Sequence, residues 1–298
     1  MSKEIKTIIK GEDCYFIKDY KDNDTYRQSF SRLARKTYGF DFEDWYREGW
    51  WGDRYIPFSL VHNGEVVANI SVNTLDFLID GAHHNILQIG TVMTDEAYRN
   101  KGLSRELMDR IMEEISGKYE TVYLYANDSV LEFYPKFGFK ESHEYIHSRI
   151  FTKEDTKNTY RKIDSKNPKD REIITQLVKN TRPSSKISMV DNLGLIMIGL
   201  TVFMPENFYY IKDLDLAVVA EYEGDNLLLM EVYSEKEFSL DTVISTMMNK
   251  PEMTVTLGFT PFDASNYNCE VLKEEDSTFF IKGNNPLGLG RFPAMSHA

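Results

Sequence analysis

The chain has 298 residues, more than one typical domain needs and enough for two compact halves that each bury a core. Its 42% apolar and 13% aromatic content excludes a disordered protein, and its net charge of −12 argues against nucleic acid, whose affinity comes mainly from Lys and Arg displacing counterions. An acidic field of this kind draws cationic ligands such as amines, or serves solubility alone.

The opening residues, Met1 to Lys6, run into charged sequence without an apolar signal core, so no export signal is expected. Residues 23–48 carry helical spacing at Phe30, Leu33 and Ala34, followed by the aromatic cluster Trp45, Tyr46, Trp50 and Trp51. From Pro57 the period shortens. Phe58 to Val61 and Val66 to Val72 flank Asn63-Gly64, a strong two-residue hairpin signal. A second turn at Asp80-Gly81 separates Leu75 to Ile79 from a strand through Ile86, Ile89 and Val92, which extends an antiparallel meander.

After Tyr98 the period is helical. Leu103, Leu107, Ile111 and Ile115 recur every four residues, with charged residues on the other faces, until Gly117. Thr121 to Ala126 reads as a buried strand, Ser129 to Lys136 as a short helix, and Phe139 to Phe151 as a closing strand pair. Residues 152–172 are charged and apolar-poor, which predicts a linker or surface helix and places a domain boundary between residues 1–152 and 153–298. The longest apolar run, Leu193 to Met204, holds two glycines and ends at Pro205, too short for a bilayer, so the sequence predicts a soluble, cytoplasmic protein without a membrane partner.

The second half repeats the layout coarsely. Leu216 to Tyr222 and Leu227 to Tyr233 read as strands, Ser239 to Met248 as a helix and Met253 to Phe259 as a strand. It has no glycine in the loop after Tyr233, so it resembles a copy of the first half that lacks the loop described next. Cys14 and Cys269 lie far apart, and the six histidines have no ligand spacing, so neither a disulfide framework nor a metal site is expected.

The segment Arg99-Asn100-Lys101-Gly102-Leu103-Ser104 lies between a strand and an amphipathic helix. A turn opening onto a helix presents unpaired N–H groups and the positive end of the helix dipole, which suits an anion such as a diphosphate. Gly102 permits close backbone approach, Arg99 and Lys101 add charge, and no Gly-Lys-Ser/Thr follows that would make a Walker A loop. Read alone, it is an anion site or an ordinary polar turn.

Together with the later stretch Tyr125 to Phe139, which holds Asn127 and Phe133-Tyr134-Pro135-Lys136-Phe137-Gly138-Phe139, this loop resembles the GNAT acetyltransferase superfamily. That family's signature Arg/Gln-x-x-Gly-x-Gly/Ala follows its fourth strand, and Ser104 departs from the usual last residue. The resemblance covers residues 10–151, and two such units in tandem are similar to the Eis-like branch. It implies an α/β (α+β) fold with a GNAT-type mixed, mainly antiparallel sheet flanked by helices, followed by a second, degenerate GNAT-like domain. It also implies an N-acetyltransferase that uses acetyl-CoA, without a metal, to acetylate the primary amine of a small molecule.

On that resemblance, Arg99, Asn100, Lys101, Gly102, Leu103 and Ser104 bind the cofactor's pyrophosphate, while the backbone at Val92, Met93 and Thr94 binds the pantetheine arm and supplies an oxyanion donor. Asn127 binds the pantetheine amide or simply ends a strand. Tyr134 is the acid that protonates the leaving thiolate, since a phenol with a pKa of about 10 is protonated at neutral pH, or else a core aromatic. Candidates for a general base are Asp76, His83, His84, Glu141, His143 and the C-terminal carboxylate. The aromatic cluster walls an acceptor pocket or forms a domain contact, and the second half packs against the first to shape that pocket. A non-catalytic acyl-CoA sensor and a protein lysine or N-terminal acetyltransferase fit the same motifs.

Overall fold

A computed structural model describes residues 4–297. An N-terminal hairpin, β1 (Ile5–Ile9) and β2 (Glu12–Lys18), precedes α1 (Asp24–Tyr38) and the short α2 (Glu43–Arg47). The antiparallel meander follows as β3 (Tyr55–His62), β4 (Glu65–Ile79) and β5 (Ala82–Thr94). Its turns are those the sequence dictates: Asn63-Gly64 and Asp80-Gly81 both carry two consecutive positive φ angles, the requirement of a type I′ hairpin. Lys10-Gly11 has the same geometry and closes β1 onto β2, a hairpin that sequence reasoning missed.

Next come α3 (Leu103–Ile115), β6 (Thr121–Ala126), β7 (Lys140–Glu141) and β8 (Tyr145–Thr152). The helix expected over Ser129 to Lys136 is instead two short 3₁₀ turns, Asp128–Val130 and Tyr134–Phe137. Pro135 lacks the N–H that a continuing α-helix would need there. The second half contains β9 (Tyr160–Lys162), α4 (Pro168–Asn180), β10 (Ile187–Val190), α5 (Leu193–Ile198) with a π-helical turn at Gly199–Phe203, β11 (Phe208–Ile211), β12 (Leu216–Glu223), β13 (Asn226–Ser234), α6 (Leu240–Met247), β14 (Glu252–Leu257), β15 (Asn268–Val271) and β16 (Thr278–Gly283).

These strands form two mixed, mainly antiparallel sheets whose membership crosses residue 152. The first runs β1-β2-β3-β4-β5-β6-β16-β7, with β10 paired to β4; the second runs β15-β8-β14-β13-β12-β11-β9. The strand pair expected over Phe139 to Phe151 is therefore split, because β7 stays in the first sheet while β8 pairs with β14 and β15. In return β16 is inserted between β6 and β7. A cut at residue 152 does not divide the two sheets.

Each sheet is covered on both faces. The first has α3 on one face, through Leu103, Leu107 and Ile111, and α1, α2 and α5 on the other. The second has α6 on one face and α4 on the other. Helix α5 and the π-helical turn after it serve both cores: Leu195 and Ile198 belong to the first, Ile196, Met197 and Leu200 to the second. It sits close to the aromatic cluster because Gly194 has no side chain, and a Cβ there would stand 2.4 Å from the Trp50 carbonyl oxygen. Trp45 Nε1 donates to the Gly194 carbonyl at 2.8 Å. None of the helices of the described residues is long and apolar enough to cross a membrane.

Candidate active site

The site begins where two parallel strands part. β5 pairs with β6 only at Leu87 with Val122 and Gln88 with Tyr123; from Ile89 onward that edge of β5 has no strand beside it. Both apex residues are held from below by the chain's last turn, with Gln88 Nε2 and Tyr123 Oη donating to the Ser296 carbonyl at 2.9 and 3.1 Å. On its other edge β5 bulges: Asn69 faces Met93 and Ser71 faces Gly90, so Thr91 and Val92 together oppose Ile70. Thr91 accordingly has φ +49°. Side chains pin the bulge, since Asn69 Nδ2 donates to the Thr91 carbonyl, Tyr38 Oη to the Val92 carbonyl and Tyr55 Oη to Thr91 Oγ1, each at 2.8 Å.

The gap between β5 and β6 opens into a cavity of 270 Å³. Ile89 and Tyr134 in its wall belong to the core on the α3 face, while Phe42, Trp45, Tyr55, Leu195 and Ile198 belong to the core on the opposite face. The cavity therefore passes through the sheet. Val92, Asn127 and Tyr134, which the motifs singled out, line it together.

Tyr134 is 4% exposed and packs against Phe133, Phe139 and Phe280. Burial, reinforced by the nearby Tyr38, pushes its phenol up to about 12, so it holds its proton at neutral pH. No hydrogen bond from another described residue occupies its hydroxyl. Asn127 has its amide nitrogen already occupied. Its Nδ2 donates to the Asp276 carbonyl at 3.2 Å and carboxylate at 2.9 Å, which leaves its Oδ1 as the group able to meet a ligand.

The loop lies beyond Thr94. Asn100 and Gly102 have φ of +62° and +91°, and α3 starts at Leu103 with no side-chain cap. The first backbone bond of the helix is Glu106 N to Gly102 O, so the N–H groups of Leu103, Ser104 and Arg105 precede the intrahelical ladder. Leu103 contributes only backbone, because its side chain is buried in the core. Ser104 Oγ bonds Thr94 Oγ1 at 2.9 Å, tying the helix to the end of β5, which explains why a serine is accommodated there. Lys101 Nζ is shared with Glu12 at 2.8 Å and lies 4.7 Å from the Tyr98 ring centre, while Arg99 remains exposed. Lys10 Nζ, 2.7 Å from the Asn100 carbonyl, brings a third cation to the loop. Nothing local in the sequence pointed to Lys10, which arrives on the missed hairpin.

None of the expected general bases among the described residues lines the cavity. Asp76 is committed to Arg54 at 2.7 Å and Asn85 at 2.8 Å, and His83 and His84 lie at the far end of the β4–β5 hairpin. Glu141 and His143 line a separate cavity of 240 Å³, and the C-terminal carboxylate lies outside the described residues. Sequence reasoning missed Glu144. It is 3% exposed, accepts from Phe292 N at 2.7 Å and from Tyr125 Oη at 3.0 Å, and burial pushes its carboxyl up to about 7. Tyr125 lines both cavities, so it forms the wall between them.

Residues 21–142 match the family model for the acetyltransferase (GNAT) domain. Among solved structures, the chain is similar to a GCN5-related N-acetyltransferase from Kribbella flavida, at 18% identity and a TM-score of 0.54, covering 91% of this chain and 71% of that one. It is also similar to a probable N-acyltransferase from Enterococcus faecalis (11%, TM-score 0.58, 94% and 72% covered) and to Eis1 from Mycobacterium abscessus (12%, TM-score 0.55, 90% and 72%). At these identities the likeness is one of fold. No curated protein matches the chain.

Proposed function

From the match of residues 21–142 to the acetyltransferase (GNAT) domain model, we propose that the protein is an N-acetyltransferase carrying an acetyl group from acetyl-CoA to the primary amine of a small molecule. The observation that carries this reading is the cavity through the sheet, because it lets a thioester on the α3 face and an amine on the other face meet between β5 and β6. The residues at hand fit the donor. The uncapped start of α3, with Arg99, Lys101 and Lys10 around it, would hold the pyrophosphate, and the unpartnered edge of β5 from Ile89 to Thr94 would take the pantetheine amides.

The bound thioester supplies the acyl group; the chain supplies placement and a proton. The pinned bulge at Thr91 and Val92 fixes backbone dipoles beside the gap, the kind of preorganised group that stabilises developing negative charge. Tyr134 keeps a proton for the departing sulfur. We assign the second half as a degenerate copy of this unit. In support, β13 and β14 are parallel neighbours joined through α6, as β5 and β6 are through α3. Yet α6 caps itself, with Ser239 accepting from Thr242 N, and this favours one donor site per chain.

Incubation of the purified protein with acetyl-CoA and an amine panel, read as thiol release, tests the function. Acetylated amine with stoichiometric free CoA is expected; no release with any amine sinks the reading.

A further inference from the structure

The acceptor side of the cavity has an unusual chemistry for a site meant to take an amine. Among the described residues its wall contains no Asp, Glu, His, Lys or Arg. It is built from rings packed on one another: Tyr38 stacks on Phe40 at 5.8 Å, Phe40 meets Phe203 edge-on at 5.0 Å, and Phe42 and Trp45 pack around Tyr55 at 5.7 and 5.4 Å. Leu195 and Ile198 of α5 close the remainder.

On the ring-lined side the polar side chains are already engaged, while the Tyr134 hydroxyl and Asn127 Oδ1 stay open. The hydroxyls of Tyr38 and Tyr55 are bonded to the β5 bulge, and Asn73 Nδ2 to Gln88 Oε1 at 3.3 Å. A ligand carrying several ammonium groups would thus lose water from each without gaining a counter-charge. A single ammonium is treated differently: aromatic faces attract it at the mouth, and the apolar interior then favours its neutral, nucleophilic form. Tyr38 and Phe203 are 44% and 43% exposed, which puts apolar surface where a ligand would enter.

Resting on the proposed acetyl transfer, we propose that the acceptor is a monoamine carried on an aromatic body, an arylalkylamine, with its ring among Phe40, Phe42, Trp45 and Phe203 and its nitrogen toward Val92 and Tyr134. Occupation by a long acyl chain is disfavoured by position, because these rings lie on the face opposite α3, where the donor's phosphates would bind.

The test compares 2-phenylethylamine and tryptamine with spermidine and kanamycin as acceptors, and separately measures 2-phenylethylamine binding by calorimetry without acetyl-CoA. The arylalkylamines are expected to have kcat/KM at least about 100-fold above the polycations. Phe203→Glu, which sets a carboxylate at the mouth of a surface-exposed position, is expected to shrink that ratio at least about 10-fold by weakening ring binding and admitting a second ammonium. Polycations acetylated as well as or better than arylalkylamines would overturn the inference and leave the acetyltransferase reading standing. Calorimetric binding of 2-phenylethylamine with no turnover of any amine would uphold the inference about the cavity and sink the reaction. Neither binding nor turnover of arylalkylamines, or preferred use of octanoyl-CoA over acetyl-CoA with every amine alike, would overturn it.

Discussion

Tyr134 combines burial with an unoccupied hydroxyl, so removing the oxygen should subtract chemistry and little else. Tyr134→Phe is expected to lower kcat by about 100-fold or more, the usual worth of a positioned proton donor, with the thermal midpoint nearly unchanged. A stopped assay beside a melting curve checks both halves of that statement. This residue was legible in the sequence because its motif is contiguous. Glu144 was not: its partners Tyr125 and Phe292 come from a strand upstream and a tail 148 residues downstream, and no local pattern announces their meeting.

The buried carboxyls give a pH prediction of their own. Glu144 and Glu231 are pushed from 4.5 up to about 7, chiefly by burial, so the folded state favours their protonated forms. Folded protein then binds more protons than unfolded protein between those values, and stability must fall as pH rises from about 4.5 to 7 and level off above. Replacing Glu144 by Gln keeps an acceptor for the Phe292 N–H, lets the amide donate to Tyr125 Oη as a protonated carboxyl would, and removes the ionisation. The variant should match the parent near pH 4.5 and exceed it at pH 8 by up to about 3 kcal/mol, the equivalent of the raised pKa. Urea unfolding at the two pH values measures this; a variant less stable at pH 8 than at pH 4.5 by the parent's own margin contradicts it.

Among the elements, α3 and α6 make a controlled comparison within one chain. Both follow the strand that precedes a parallel neighbour, but α3 begins at Gly102 in the left-handed region without a cap, whereas α6 begins at Ser239, which caps it. On the proposed function, the open start of α3 is the one that would receive the donor's pyrophosphate. Ser239→Ala is expected to cost about 1 kcal/mol of stability and to leave the KM for acetyl-CoA unchanged. Gly102→Glu should add a binding loss to a comparable stability cost: the strained φ costs roughly 1–2 kcal/mol, and the carboxylate at the helix start should weaken CoA binding at least about 10-fold. Calorimetric titration of CoA separates the two. The glycine and the helix period were readable in sequence. What the sequence hid was the third cation, Lys10, because it reaches the loop through strand pairing, and the commitment of Asn127 to Asp276, because that turn belongs to the far end of the chain.

At the scale of the whole molecule, the β3–β4–β5 meander was legible together with its pairing, whereas strands such as β1, β10 and β16, and the partners of β8, were not. Alternation and turn residues identify a strand locally, but which edge it joins depends on contacts far along the chain, and here the first sheet holds β10 and β16 from the second half of the sequence while the second holds β8 from the first. The consequence is mechanical. Without residues beyond 152, the first sheet loses β16 between β6 and β7, the support of Ser296 beneath Gln88 and Tyr123 disappears, and β8 has neither β14 nor β15 to pair with. Helix α5, which seals the aromatic side of the cavity and contributes to both cores, is lost as well. A fragment of residues 1–152 is therefore expected to be aggregated or unfolded by circular dichroism and inactive with acetyl-CoA, while the full chain should unfold in one cooperative transition. Producing residues 153–298 in the same cell should restore soluble, active protein, since the exchanged strands need proximity rather than covalent continuity. A folded, fully active 1–152 fragment would show that β16, α5 and the final turn are dispensable to the site, and that the joint between β5 and β6 holds its shape alone.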